Sequence, residues 1–264
     1  MNTSFADIEK KENRKDLIIS ICVFLSGFSC FAQLYYFQPL LPDLAKDFIL
    51  SASESSFAIS FSTLGMVFGL FTTMFVADRI PRKKMIGTGL LSSSIFSVAA
   101  SFSPTFLPLI LLSAAKGFLL SGATSVSMAY IAEEVSSRNK GKIMGLYIAG
   151  NALGGMAGRV ISSWIGALYT WRIASVSIGL ICALFAILFL LFSPRSTNFM
   201  PRKESFHTLI IANLQLITSK ALIPFYLTGG LILGVFVSLY NYLGFYLTKA
   251  PFNFPEHYIH LSLI

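Results

Sequence analysis

Charged residues and cysteines are scarce in this chain. Of its 264 residues, 12% are charged and 55% are hydrophobic, with a mean hydropathy of +0.71. A soluble domain carries about a quarter charged residues, so the composition excludes an ordinary soluble protein and is typical of an integral membrane protein. The three cysteines, Cys22, Cys30 and Cys182, lie in apolar runs, where a thiol acts as a small apolar group. We therefore expect neither a disulfide nor a metal site.

The sequence also lacks the motifs of the common enzyme classes. It contains no glycine-rich phosphate loop, no paired His and Glu on one helix face and no Gly-x-Ser-x-Gly elbow, so nothing indicates an enzyme or a bound cofactor. A cleaved signal peptide is disfavoured, because the first sixteen residues mix acids with bases and the first apolar run is long.

What the sequence does contain is a series of long apolar runs. A helix needs about 20 mostly apolar residues to cross a hydrocarbon core of about 30 Å, because lipid offers no partner for backbone polar groups. We therefore predict an all-α fold, a polytopic membrane helix bundle with seven spans at residues 17–38, 56–77, 85–103, 107–131, 143–164, 173–192 and 222–246.

Basic residues are distributed unevenly among the loops between these runs. If the N-terminus is inside, fifteen Lys and Arg residues fall on the inner side, and only Lys46, Arg172 and Lys249 fall outside. Short cytoplasmic loops hold an excess of Lys and Arg because positive charge resists translocation, so this pattern predicts a cytoplasmic N-terminus. The net charge of +8 is spread as topological anchors rather than gathered into one patch, and we expect no nucleic-acid partner.

The predicted spans divide the chain into four parts. Residues 1–192 hold six spans, 193–221 form a longer basic cytoplasmic segment, 222–246 form a seventh span, and 247–264 form a tail outside the cell. The basic segment is polar and interrupted by proline at first, which is typical of a linker. We predict one short amphipathic helix within it, around residues 209–217, on the membrane surface.

The loop between the second and third spans reads DRIPRKK and resembles the cytoplasmic loop signature of the major facilitator superfamily (MFS), G-x-x-x-D-R/K-x-G-R-K/R. Met74 and Pro81 stand where that family usually has glycine. The charged positions of the signature are present as Asp78, Arg79, Arg82 and Lys83. The resemblance implies a conformational latch, in which the acid binds neighbouring basic residues and the start of a helix from the second half of the transporter. The alternative is that the basic residues only anchor the topology.

The fifth span carries GNALGG, which resembles the glycine-rich fifth-helix motif of the same superfamily, with Asn151 where proline is usual. Gly150, Gly154 and Gly158 are four residues apart and share one helix face, which allows a neighbouring backbone to approach closely. Gly155 belongs to the same motif. Tight packing and a direct role in antiport both account for these glycines.

Together with YYFQPLLPDL and LYNYLGFYL, these motifs extend the resemblance over residues 31–246, which would correspond to the N-terminal half of a transporter plus one helix. Within the superfamily, they resemble most the YnfM-like bacterial inner-membrane efflux permeases. The resemblance implies two inverted three-helix repeats and a multi-pass protein of the cytoplasmic (inner) membrane. It also implies transport of a small organic solute, by efflux in exchange for protons, with lipid as the surrounding medium.

Two basic residues fall inside predicted spans. An ionised group in the bilayer costs at least about 2.5–3.5 kcal/mol on insertion scales, so such groups usually face a wet cavity or a partner. For Arg159, snorkelling to the headgroups is an alternative. The candidates for a solute cavity are Gln33, Tyr36, Gln38, Lys116, Arg159, Tyr240 and Asn241, with Asn151 beside them. Buried hydrogen bonding between helices would explain each of the uncharged ones equally well.

No acidic residue falls at mid-membrane in the predicted layout. If protons are coupled, their carrier would lie in the second half of the transporter or be Asp43, just beyond the Pro39 and Pro42 turn. The superfamily normally has twelve spans, and this chain ends in a short apolar run where an eighth helix would begin. The sequence therefore leaves two functions open: a secondary transporter, or a truncated membrane fragment that is inactive in transport. In either case a missing C-terminal half or another copy would be needed for a complete pathway.

Overall fold

The computed structural model describes residues 5–201 and 206–247, and over these residues the fold is all-helical. The long helices are α1 (Phe5–Tyr35), α4 (Phe57–Val76), α5 (Arg82–Ser101), α6 (Phe106–Glu134), α7 (Lys140–Leu168), α8 (Trp171–Phe192) and α10 (Ile223–Leu247). Shorter helices are α2 (Leu41–Asp47), α3 (Ala52–Ser55) and α9 (Phe206–Ile217). The predicted tail lies outside the described residues from residue 248 onward.

Local sequence explains where the helices change direction. The 3-10 turn Gln38–Leu40 and α2 each carry a proline at their first turn, where proline's fixed φ is favourable, and they bend the chain away from α1. Ser51 caps α3 by accepting from the Glu54 amide, while the Glu54 carboxylate accepts from the Ser51 amide. Such reciprocal caps satisfy two amides that a helix start would leave without partners.

Four helical segments are long and apolar enough to cross a membrane, among those that the structure describes: Glu12–Asp47, Ala52–Arg79, Phe106–Glu134 and Trp171–Phe192. Helices α5 and α7 are comparable in length but less apolar, because serine and glycine occupy many of their buried positions. Small residues allow these helices to pack inside the bundle, where contact with neighbours rather than with lipid decides the composition. In α10 the apolar stretch is Ile223–Leu239.

The six long helices before residue 193, α1 and α4 to α8, pack in pairs. The main contacts join α1 to α7, α4 to α6, α5 to α6, α5 to α8 and α1 to α8. If α1 is exchanged with α6, α4 with α7 and α5 with α8, each of these five contacts becomes a contact of the same set. The α4–α6 contact, for example, becomes the α1–α7 contact.

Two apolar clusters form the core of the bundle, one toward each end. We call the end that holds residues 78–84 and 135–139 the basic end. The cluster there includes Val23, Tyr130 and Phe189, and the cluster toward the opposite end includes Phe37 and Trp171.

Helices α9 and α10 pack much less closely. The short helix predicted around residues 209–217 is present as α9, which begins three residues earlier. Most of the described side chains of α10 are exposed, and its main contacts with other helical segments are with the turn Gln38–Leu40 and with α2. The apolar surface of α10 is therefore largely uncovered by the described part of the chain.

Candidate functional site

Arg159 lies on the inner face of α7 and is 8% exposed. Its Nε donates to Oε1 of Gln38, and its Nη1 donates to the Gly155 carbonyl at 3.1 Å. Its guanidinium carbon stands 4.6 Å from the ring centroid of Tyr35 and 5.4 Å from that of Phe236. The side chain therefore turns into the protein instead of extending to the surface, which argues against snorkelling.

These contacts form one wall of a cavity of about 490 Å³. The cavity lies where α10 approaches α1 and α7, and its lining includes Phe31, Tyr35, Asn151, Arg159, Leu233 and Phe236. Pockets for small organic ligands have volumes of roughly 300–1,000 Å³ and combine apolar walls with a few fixed polar groups. Size and lining therefore suit a small organic molecule. We call this space the Arg159 cavity.

Asn151 contributes a second polar group to the Arg159 cavity. Its Oδ1 is buried and accepts no hydrogen bond from the described residues. The same oxygen lies close to Gly27 of α1, where an added Cβ would meet it at 2.3 Å. Asparagine in place of the family's usual proline leaves α7 helical from Lys140 to Leu168, since it keeps the backbone amide that proline lacks.

A second cavity, of about 540 Å³, lies between α1 and α7 nearer the basic end. Asp16, Asn139 and Lys142 are among its lining residues. Asp16 accepts hydrogen bonds from Ser136 and from Asn139, so its carboxylate joins α1 to the start of α7. Residues 142–149 of α7 line this cavity and residues 148–159 line the Arg159 cavity. The two cavities thus lie on opposite flanks of the contact between α7 and α1.

The glycines of α7 fall into two groups. At Gly150, Gly154 and Gly158 an added Cβ would meet the backbone of α1 at 2.6, 2.2 and 2.7 Å, so these three lie in direct contact with α1. Gly155 is different, because a Cβ added there would first meet the Tyr35 ring, at 3.5 Å, and not the backbone of α1. Gly155 lines the Arg159 cavity and supplies a carbonyl to Arg159.

A second close contact of the same kind, which the sequence reasoning missed, joins α4 to α6. An added Cβ would meet the Ala114 carbonyl oxygen at 2.0 Å from Gly65, and the Ser62 carbonyl oxygen at 1.8 Å from Gly117. Gly69 makes a similar approach to Phe118. The signal was available, since Gly65 and Gly69 show the same spacing of four residues that singled out the glycines of α7.

Lys116 is not in the Arg159 cavity. It is 1% exposed, and its Nζ lies 4.5 Å from the Tyr36 ring centroid and 5.0 Å from that of Phe37. That nitrogen makes no hydrogen bond to the described residues. Aromatic faces stabilise a cation by about 2 kcal/mol when the contact is desolvated. The structure therefore separates the two basic residues that the sequence had grouped together.

Gln33 and Tyr36 belong to a buried polar cluster inside the bundle. The Gln33 Oε1 accepts from Ser97 at 3.2 Å, and the Tyr36 hydroxyl pairs with Ser175 at 2.9 Å. Ser175 in turn donates to the Ser97 carbonyl. These contacts join α1, α5 and α8, as expected from hydrogen bonding between helices. Of the other candidates, Gln38 contacts Arg159, and the side chains of Tyr240 and Asn241 lie outside the described part of the chain.

At the basic end, Arg82 is the centre of the loop that carries the charged signature. Its Nη2 donates to Asp78 at 2.9 Å and to Glu133 at 3.0 Å, and its Nη1 donates to the Ala77 carbonyl at 2.6 Å. Arg82 is nearly buried, whereas the Asp78 side chain is 42% exposed and Arg79 is exposed. Asp78 therefore has an ion-pair partner within its own loop and still presents part of its carboxylate to the outside.

The same loop holds the start of the segment after α8. Lys83 donates from Nζ to the Ser193 carbonyl and from its backbone amide to Ser196. Burial lowers the pKa of the Lys83 ammonium. Glu134 accepts from Lys15 at 2.8 Å and from the backbone amide of Asn198 at 2.7 Å. Glu133 and Glu134, which no sequence motif indicated, thus join three segments of the basic end.

The described residues contain no group of three His, Cys, Asp or Glu side chains that could hold a metal ion. Cys22, Cys30 and Cys182 are buried as free thiols. The Arg159 cavity combines one charged group with apolar walls, which suits the binding and orientation of a small molecule.

Relatives with similar sequences are transporters by name. The chain is 35% identical over 245 residues to an uncharacterized transporter of Buchnera aphidicola subsp. Schizaphis graminum, covering 93% of this chain and 59% of the relative. It is 35% identical to the inner membrane transport protein YnfM of Escherichia coli, covering 90% of this chain and 57% of the relative. YybF of Bacillus subtilis, an uncharacterized MFS-type transporter, is 32% identical over 89% of this chain and 58% of its own length. The chain thus spans a little over half the length of these relatives.

Solved structures share the fold at low sequence identity. An inward-facing bacterial homologue of the human lysosomal transporter Spinster has a TM-score of 0.77 at 13% identity, over 94% of this chain and 58% of its own. A D-xylose-proton symporter has a TM-score of 0.71 at 16% identity, over 94% of this chain and 64% of its own. The sequence model of the Major Facilitator Superfamily matches residues 20–263. This chain therefore belongs to the Major Facilitator Superfamily.

Proposed function

We propose that this chain provides the solute-binding half of a secondary transporter, which moves a small organic solute across the cytoplasmic membrane by efflux in exchange for protons. The observation that carries the proposal is the Arg159 cavity, a partly open space of about 490 Å³ in a membrane bundle with one charged group on its wall. The second cavity, also lined by α1 and α7, lies nearer the basic end.

The packing of the six helices supports an arrangement of two inverted three-helix repeats, with residues 1–192 as one transporter half. The set of the five largest contacts among these helices is unchanged when the first three long helices are exchanged with the next three, whereas the smaller contact between α7 and α8 has no counterpart of similar size. Alternating access in such folds is the rocking of one repeat-built half against another. A second half, or another copy of this chain, would supply the opposing surface. The uncovered apolar surface of α10 supports this requirement.

The loop around Arg82 would act as a latch in this cycle. Arg82 holds Asp78 from inside the bundle, while the exposed part of the Asp78 carboxylate is available to a helix start in the second half. A helix start carries a partial positive charge, which favours an acid beside it. Breaking that contact would release the halves at the basic end, which we infer to be cytoplasmic.

Proton coupling would draw on groups outside the Arg159 cavity, since its described lining contains no acidic residue. In this proposal the exchange of protons depends on the second half or on acids near the ends of the spans.

A transport assay in liposomes tests the proposal. We would compare the 264-residue chain with a fusion in which the matching second part of YnfM follows residue 246, and screen organic solutes under an imposed proton gradient. We expect solute movement that depends on the gradient from the fusion and none from the shorter chain. A fusion that folds but moves no solute in the screen would count against a transporter, whereas gradient-driven movement by the short chain would show that copies assemble a path.

A further inference from the structure

The proposed function leaves the chemical class of the solute open, and the Arg159 cavity supplies an answer that rests on that function. We propose that this cavity binds an amphipathic organic anion, with a carboxylate or similar acidic group at Arg159 and an apolar body along the aromatic walls. The inference rests on the position of one guanidinium relative to the apolar lining.

Arg159 is held in a fixed orientation at the cavity wall. Both of its hydrogen bonds described above end on uncharged oxygens, the side-chain oxygen of Gln38 and the carbonyl of Gly155. These acceptors limit the orientation of the guanidinium. The ring of Tyr35 covers one side at 4.6 Å, which limits the side chain further. A guanidinium whose orientation is set in advance binds a carboxylate with little further loss of conformational entropy.

The charge of the lining favours an anion over the other solute classes. Among the described residues that line the cavity, Arg159 is the charged one. A cationic solute would be repelled by it, and a neutral solute would gain only a weaker hydrogen bond. Because the surrounding walls are apolar, they screen the attraction between opposite charges less than water does.

The rest of the lining suits an apolar body. Phe31 and Tyr35 on α1 face Leu233 and Phe236 on α10 across the cavity. The lining of α7 extends from Ile148 to Arg159, which is about 16 Å along a helix. A solute with a ring or a short alkyl chain attached to an acidic group would fill this length. The buried Oδ1 of Asn151, which accepts no described hydrogen bond, lies in the same lining and suits a donor group on the solute body.

Equilibrium binding to the 264-residue chain in lipid nanodiscs tests this inference without requiring transport. The probes are 4-butylbenzoate, 4-butylbenzamide and 4-butylbenzylammonium, which share one apolar body and differ in charge. Calorimetric titration should show the benzoate binding at least tenfold more tightly than the amide, with the ammonium weakest. Equal binding of the benzoate and the amide, or no binding by any of the three, would overturn the inference.

Variants of the chain test whether Arg159 causes the preference for the benzoate over the amide. Arg159→Gln should lower benzoate affinity at least tenfold, to the level of the amide, and leave amide binding within about twofold. The matched control is Arg172→Gln, because Arg172 also lies over an aromatic ring, that of Trp171, but is not part of the cavity lining. This control should keep the benzoate preference. A preference that survives Arg159→Gln would contradict the assignment.

A further variant covers the case in which Arg159→Gln does not fold. Phe236→Ala shortens a partly exposed side chain on α10 and should weaken the benzoate and the amide by a similar factor, leaving their ratio unchanged. If the benzoate and the amide bind equally tightly to Phe236→Ala, the charge of Arg159 and the apolar wall do not act separately, and the inference is wrong. Binding of the benzoate without transport by the longer fusion would leave this inference standing and contradict only the proposed transport.

Discussion

Gly154 of α7 lies so close to Phe28 of α1 that a Cβ at Gly154 would meet the Phe28 carbonyl oxygen at 2.2 Å. The two backbones are in contact at this point, and the two cavities lined by α1 and α7 lie on either side of it.

The glycine contact between α1 and α7 should control stability. Gly154→Ala should lower the free energy of unfolding by about 1–3 kcal/mol, because the added methyl group forces two backbones apart. The matched control is Gly145→Ala on the same helix, where nothing lies within 4 Å of an added Cβ. This control should be neutral or stabilising by up to about 1 kcal/mol, the difference in helix propensity. Thermal unfolding in detergent measures both, and equal effects would refute the contact.

Arg82 should matter more than its neighbours in the charged loop. Arg82→Gln removes bonds to Asp78, Glu133 and the Ala77 carbonyl, and we expect a loss of about 1–3 kcal/mol in stability. Arg79→Gln is the control and should change stability by no more than about 0.5 kcal/mol, since Arg79 is exposed. Chemical unfolding of the two variants gives the comparison. A larger effect at Arg79 would show that the basic end is arranged differently.

Asp78→Asn should affect transport much more than it affects the stability of the fold. In the 264-residue chain the change should cost less than about 1 kcal/mol, because the Asp78 side chain is 42% exposed and its pair with Arg82 is partly screened. In the longer fusion described above, the same change should reduce transport while leaving solute binding nearly unchanged, since it shifts a conformational equilibrium. Loss of binding together with transport would argue against a latch.

Lys116 should be replaceable by an apolar residue of similar length. Lys116→Met removes a buried ammonium, whose insertion costs about 2.5–3.5 kcal/mol, and loses ring contacts of about 2 kcal/mol. We therefore expect the free energy of unfolding to be unchanged or to rise by about 1 kcal/mol in thermal unfolding. Lys116→Arg, which keeps the charge but overfills the site, should be destabilising. A large loss of stability in the methionine variant would reveal a partner for the ammonium.

The predicted orientation can be tested by labelling. In a variant with Cys22, Cys30 and Cys182 replaced by alanine, single cysteines at Asn253 and Ser205 should react differently with an impermeant maleimide in whole cells. The positive-inside distribution predicts reaction at Asn253 from outside and at Ser205 only after permeabilisation. The reverse pattern would overturn the loop assignment.

The sequence alone determined the class of fold. Low charge, long apolar runs and DRIPRKK together indicate a helical membrane bundle of this superfamily, because crossing lipid constrains length and composition within each local segment. The spacing of Gly150, Gly154 and Gly158 also predicted a face for close packing, since helix geometry alone puts those positions on one side.

The tertiary structure decided which candidates belong to one site. From sequence, Lys116 and Arg159 were both candidates for the same cavity, and snorkelling was an alternative for Arg159. In the fold, Arg159 meets Gln38, 121 residues away, at a cavity, whereas Lys116 lies beneath aromatic rings inside the bundle. Likewise, Arg82 reaches Glu133 across 51 residues. Such pairings depend on how each helix is rotated against its neighbours, and packing between distant segments sets that rotation while the local sequence limits only which residues share a face.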